Sequence, residues 1–387
     1  MRNVVAISLF CLLSFTIYAQ NNIYKTIKLG SRQIGVMDTI IFDEKYSYDA
    51  FDYKGGKPYF IKIWHPTQST NESNYIRIED LYGFKENQKL KTLQDSLKSI
   101  YKSLFIRDYL TENLESGHQN NFGKHSLEEV FNFIGKLKTR STPSILNNKS
   151  NLPVIIYYNG SQGHPFENFV LAEYLASRNI IFLSASLELP YEKVPFGLLP
   201  YERHHSGEYE ESLKTIIKFA QSITNSSDIF FIGHSMGAQM GLRALGQDSI
   251  IKGMVSLETT LEFKKDNESI KEMWPELYKK IINEKTDYPF PILFCAATGD
   301  KEPFFFLDKV KSSQTTFIST KTDFEHNAYL SLFYLRYFLD SAVPQTDKKI
   351  IFDRLLLYQK HLTIIYKFFS SIIKNKNVSQ LESKIVR

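Results

Sequence analysis

The residues from Phe230 to Leu245 read FFIGHSMGAQMGLRAL, an apolar run that breaks into Gly-His-Ser-Met-Gly and then resumes with small and apolar residues. A serine hydroxyl is a poor nucleophile unless a base takes its proton and the backbone holds it clear of its neighbours. Gly-x-Ser-x-Gly between an apolar strand and a small-faced helix meets the second need. The serine occupies a strained turn, and Gly233 and Gly237 stay small so that strand and helix can approach closely. Ala238 and Gly241 continue the small face. Such a turn also aims helix N–H groups, that of Met236 among them, at any oxygen beside the serine. The expected chemistry is nucleophilic catalysis by Ser235.

The base and the acid that orients it should then follow along the chain, acid before histidine. Two histidines lie C-terminal to the motif, His326 and His361. His361 falls inside a long amphipathic segment, where a surface position is expected. His326 falls in the polar stretch TDFEHN and is the expected base. For the acid, Asp300 follows the apolar run PILFCAA, at the end of the last strand before the histidine. Glu258, which ends the run GMVSL, is the alternative, and Glu302 and Asp323 are weaker options. A second oxyanion donor should come from the loop after an earlier strand, and Asn159-Gly160-Ser161 after VIIYY offers the Ser161 N–H. The segment from Glu188 to Gly207 is expected to overhang this site, with Arg203, His204 and His205 as pocket candidates. Adjacent histidines on a strand would face opposite ways and no partner pattern accompanies them, so no metal is expected.

These groups need a scaffold that brings distant segments together. Short unbroken apolar runs at 153–158, 180–185, 229–232, 253–257 and 291–295 alternate with helical patterns at 166–177, 210–223 and 236–245. That alternation predicts a mostly parallel sheet covered by helices on both faces. Upstream, 23–42 and 59–64 read as strands, with Gly30 and Gly35 as turn points. Apolar positions three and four apart between 78 and 142 predict a helical insertion, with Ser126 as a helix cap. AYLSLFYLRYFL after His326 reads as a further helix. Ile351, Leu355, Tyr358, Leu362, Ile365, Phe369 and Ile372 keep a four-three spacing that predicts a C-terminal helix packed on its own domain. Peripheral membrane contact or self-association through 346–376 is the other use of that stripe.

The 387 residues are 43% hydrophobic and 14% aromatic, which suits a large apolar interior and an apolar ligand pocket. A net charge of +5 is small for this length and gives no case for a nucleic-acid partner. The start, MRNVVAISLFCLLSFTIYAQ, has a positive residue, an apolar run too short for a comfortable membrane span, and a small-residue cleavage site. It reads as a secretory signal peptide over 1–20, with an uncleaved anchor less favoured, and implies a secreted or periplasmic protein. The mature chain would keep one cysteine, Cys295, in a buried strand as a structural thiol.

Taken together, PYFIKIWHPT, LPVIIYYNGSQGHPFENFVLAEYLASRNIIFLSAS, GHSMG, TGD and FEH resemble the α/β-hydrolase superfamily, in its platelet-activating-factor acetylhydrolase-like and dienelactone-hydrolase-like branch. The resemblance runs from about Tyr59 to Asp340, is thin over the helical insertion and does not reach the C-terminal helix. It implies an α/β-hydrolase domain over 21–345 with the insertion at 78–142 and an extension over 346–387. It further implies Ser235 as nucleophile, Asp300 as acid, His326 as base, and the Ser161 and Met236 amides as oxyanion donors, with no cofactor. Asn159 stands where many relatives carry histidine, and serine at 235 departs from a true dienelactone hydrolase. The expected activity is hydrolysis of small-molecule or lipid carboxylic esters through an acyl-serine. Acyl transfer or amide cleavage by the same triad is the alternative, as is a non-catalytic binding protein retaining the fold.

Overall fold

Side chains alternate across a strand, and the central strands are apolar at every position, so they must be covered on both sides. In β4 (Val154–Tyr158), Ile155 and Tyr157 enter one apolar layer, while Val154, Ile156 and Tyr158 enter the other. The same division runs through β6 (Ile229–His234), where Phe230 and Ile232 oppose Ile229 and Phe231. The structure is a computed structural model and describes residues 23–68, 74–111, 125–146, 149–196, 207–247, 249–264, 266–297, 304–320, 324–338, 345–375 and 384–386.

The first two strands form a long hairpin, β1 (Gln33–Ala50) and β2 (Tyr53–Thr67), and β3 (Ser141–Pro143) pairs with β1. Then come β4, β5 (Ile181–Ser186), β6, β7 (Ile251–Leu257), β8 (Asp287–Tyr288), β9 (Ile292–Ala297), β10 (Lys311–Ser312), β11 (Thr315–Thr320) and β12 (Lys384–Val386). Ten of them form one sheet in the order β12-β11-β9-β7-β6-β4-β5-β2-β1-β3, and β8 pairs with β10 apart from it. Pairings are parallel from β5 to β12, and β2 joins antiparallel to β5. Gly35 lies inside β1 rather than at a turn. A Cβ there would come 2.7 Å from both His65 Cε1 and Ser144 Cβ, so the glycine serves close packing.

On one face lie α1 (Lys91–Phe105), α2 (Leu127–Gly135), α3 (Phe169–Ala176) and the C-terminal α6 (Gln345–Ile373). The other face is covered by α4 (Glu208–Ser222) and α5 (Met236–Ala244). The insertion is helical as expected, and Ser126 caps α2. Its hydroxyl accepts from the Glu129 N–H at 3.2 Å, and Glu129 Oε2 accepts from the Ser126 N–H at 2.8 Å. The segment after His326 forms two 3-10 turns, His326–Tyr329 and Ser331–Phe338, instead of an α-helix.

The apolar stripe of α6 is used inside the domain. Ile351, Leu355, Tyr358, Leu362, Ile365 and Phe369 are all buried, and the Phe369 ring lies 4.9 Å from that of Phe230 on β6. His361 is buried too, contrary to the surface position expected for it. Its Nε2 lies 2.9 Å from Thr320 Oγ1 and its ring stacks on Phe324. The expectation failed because the helix buries a wider arc than its four-three stripe. Cys295 is fully buried in β9, and burial pushes its thiol well above the usual range, as suits a structural residue.

Candidate active site

Strand β6 runs directly into α5 through Ser235, whose backbone sits at φ 51°, ψ −121°. That left-handed conformation is strained for a residue with a side chain, at about 1–3 kcal/mol. Two glycines make the turn feasible by close approach. A Cβ on Gly233 would come 2.4 Å from the Ala238 nitrogen, and one on Gly237 would come 2.2 Å from the Tyr158 carbonyl oxygen. The Ser235 N–H donates to the Leu257 carbonyl at 3.2 Å, tying the turn to the end of β7.

At that same end of β7 stands Glu258, which is buried and held at φ 55°. Its Oε1 lies 2.9 Å from His326 Nδ1, and its Oε2 accepts from the Ala297 N–H at 2.7 Å. The carboxylate on the imidazole is therefore the alternative one. Asp300, the expected acid, lies outside the described residues, as do Glu302 and Asp323. Beside the pair, burial and the Glu258 charge push the Glu262 carboxyl up to about 8. At neutral pH it is largely protonated and adds no second charge there.

His326 is brought against the Ser235 turn through His234, the residue before Ser235. His234 Nε2 lies 3.2 Å from the His326 carbonyl oxygen, and the two rings are 4.6 Å apart. Burial holds His234 well below the usual histidine range, so it is neutral, and its proton belongs on Nε2 facing that carbonyl. The histidine loop also rests on α6. Glu325 pairs with Arg354 at 2.7 Å, both buried, and the Tyr334 hydroxyl donates to the Ala328 carbonyl at 2.7 Å.

The loop after β4 lies on the other side of the serine. A Cβ on Gly160 would come 3.2 Å from Ser235 Cβ. Most of its amides have acceptors. Gly160 N–H points at Glu167 Oε1 (3.4 Å), Gln162 N–H at Glu188 Oε2 (3.2 Å), Gly163 N–H at the Gly160 carbonyl (3.0 Å) and His164 N–H at Glu167 Oε2 (3.2 Å). Among the described residues the Ser161 amide has no such acceptor, and the residue is exposed. Met236, as the first residue of α5, likewise has no partner for its N–H within the helix. The carboxylates of Glu167 and Glu188 are both buried, and burial pushes each up to about 7.

The structure thus pairs His326 with Glu258, sets His326 against His234, the residue before Ser235, and lays the loop of Ser161 beside Ser235, which leads directly into Met236. Arg203, His204 and His205 lie outside the described residues. Sequence reasoning missed His234 and Glu167. His234 was inside the quoted motif but had no partner to read from sequence. Nothing local set Glu167 apart from Glu173 on the same stretch FENFVLAEYLA.

No protein-family model matches the chain, and no curated protein sequence matches it. Solved structures do. A ferulic acid esterase from Streptomyces cinnamoneus aligns over 92% of this chain and 96% of its own, with 12% identity and a TM-score of 0.55. Est1E from Butyrivibrio proteoclasticus aligns over 54% of this chain and 90% of its own, with 17% identity and a TM-score of 0.32. A 2,6-dihydroxy-pseudo-oxynicotine hydrolase aligns over 70% of this chain and 76% of its own, with 14% identity and a TM-score of 0.34. The first of these spans nearly the whole of both chains. With that match, the parallel sheet and the strand–serine–helix turn at its centre, the chain has the α/β-hydrolase fold.

Proposed function

We propose that the protein is an exported serine hydrolase that cleaves carboxylic esters through an acyl-serine intermediate. The observation that carries the reading is a strained Ser235 whose neighbour His234 lies ring to ring with His326, the imidazole held by Glu258 at the end of β7. In open α/β sheets the carboxyl ends of the strands are where ligands bind. Ser235 Oγ attacks the ester carbonyl carbon while His326 Nε2 takes its proton. Glu258 accepts from Nδ1, which fixes the tautomer with a bare Nε2 and stabilises the imidazolium that forms. The carbonyl oxygen, now an oxyanion, accepts from the Ser161 and Met236 N–H groups. His326 returns the proton to the departing alcohol, and water repeats the sequence to release the acid.

Export rests on the N-terminal twenty residues, which lie outside the described ones. Among the described residues no helix is long and apolar enough to cross a membrane. A fluorophosphonate probe tests the catalytic reading. The expected outcome is stoichiometric labelling of the folded protein at Ser235, with p-nitrophenyl acetate hydrolysis abolished in Ser235→Ala. A folded protein that is not labelled there would favour a non-catalytic binding role, and Ser235→Ala retaining activity would refute the nucleophile assignment.

A further inference from the structure

Glu167 is a carboxylate buried to 2% exposure beneath the loop that carries Ser161. A buried carboxylate is costly unless donors surround it, and here the donors come mostly from that loop. Oε1 accepts from the Tyr157 hydroxyl at 2.6 Å and faces the Gly160 N–H at 3.4 Å, and Oε2 faces the His164 N–H at 3.2 Å. The backbone therefore hangs on one side chain at two points, one on each side of Ser161. Gly163 supplies the room. A Cβ there would sit 2.4 Å from Glu167 Oε2 and 2.8 Å from Asn159 Cβ, so any side chain would crowd the carboxylate and the start of the loop together. Oε1 also lies 4.0 Å from His234 Nδ1, in the nucleophile turn itself. With Gly160, Gln162, Gly163 and His164 all committed, the Ser161 amide is the one left over along this stretch.

We propose that Glu167 is the positioning residue of the oxyanion loop: its carboxylate holds the Gly160 and His164 amides from below and so turns the Ser161 N–H toward the reacting oxygen. This rests on the hydrolase reading above and goes beyond it by assigning what aims the donor. Glu167 does not touch substrate. Replacing it with glutamine keeps the volume but leaves one oxygen for two backbone donors, and the amide NH2 must face one of them. The loop then shifts by a few tenths of an ångström at Ser161, which matters only when charge develops on the substrate oxygen.

The test uses the full-length protein, p-nitrophenyl acetate and an aryl trifluoromethyl ketone. Ser235 Oγ adds to the ketone carbon, its proton passes to His326, and the former carbonyl oxygen becomes an oxyanion in the hole. Glu167→Gln is expected to lower kcat 10- to 100-fold with KM within about twofold, and to weaken the ketone by the same factor. Gly163→Ala, which crowds the carboxylate and Asn159 without changing either, should show the same split. A Glu167→Gln protein with kcat within twofold of wild type overturns the proposal, and so does lost activity with ketone affinity unchanged. If Glu167→Gln does not fold, Gly163→Ala decides by the same criteria, and a normal kcat in it is equally fatal. Wild-type protein that is not labelled by a fluorophosphonate refutes the hydrolase reading itself. Labelled wild type with normally active variants refutes only the role of Glu167.

Discussion

Glu258→Gln separates the carboxylate seen on the imidazole from the one favoured by chain order. Glu258 accepts two hydrogen bonds, from Ala297 N–H at 2.7 Å and from His326 Nδ1 at 2.9 Å. A glutamine of the same shape has one oxygen to offer. The Ala297 amide is a fixed donor, so the oxygen stays there and the NH2 turns toward Nδ1. An imidazole facing a donor at Nδ1 must carry its own proton on Nε2, where it can no longer accept one from Ser235. The loss expected from such a tautomer reversal is about a thousand- to ten-thousand-fold in kcat, or about 4–5.5 kcal/mol at 1.36 kcal/mol per decade. The assay is steady-state hydrolysis of p-nitrophenyl acetate beside the rate of fluorophosphonate labelling, with Asp300→Asn as the parallel variant. Glu258→Gln within tenfold of wild type, with Asp300→Asn losing several decades, would refute the assignment of Glu258.

Three further predictions rest on other parts of the structure. Gly237→Ala would place a methyl 2.2 Å from the Tyr158 carbonyl oxygen, so it should destabilise by about 3 kcal/mol in urea unfolding and abolish labelling at Ser235. Arg354→Met leaves Glu325 buried without its guanidinium partner, at a cost of about 3–5 kcal/mol, and should lower kcat because His326 is the next residue. Stability should also peak between about pH 4.5 and 6.5. Glu167, Glu188 and Glu262 titrate near 7, 7 and 8 when folded against 4.5 unfolded, so stability falls as pH rises from 4.5 to 8. His164 and His361 titrate near 3 when folded against 6.5 unfolded, so stability falls as pH drops from 6.5 to 3. Thermal unfolding should show a higher midpoint at pH 5.5 than at pH 8 or 3.5, and a midpoint still climbing at pH 8 would contradict it.

Local sterics and periodicity made much of this protein legible in its sequence. Gly233, Ser235 and Gly237 specify a tight strand-to-helix turn whatever surrounds them, and unbroken apolar runs such as Val154–Tyr158 demand cover on both faces. The capping box at Ser126 and Glu129 is likewise a matter of three-residue spacing. Tertiary structure decided what depends on segments meeting from far apart. Glu258 and His326 are 68 residues apart in the chain, and the placement of β7 beside β6 and the histidine loop puts the Glu258 carboxylate on Nδ1. The four-three stripe of α6 announced an apolar face but not its destination beneath Phe324 and Glu325, and so it misplaced His361. Glu167 had no local signature, because its meaning lies in two backbone amides that a folded loop presents to it. A sequence encodes periodicity and steric allowance directly, whereas the choice among equivalent carboxylates is made by distances that exist only once the sheet is assembled.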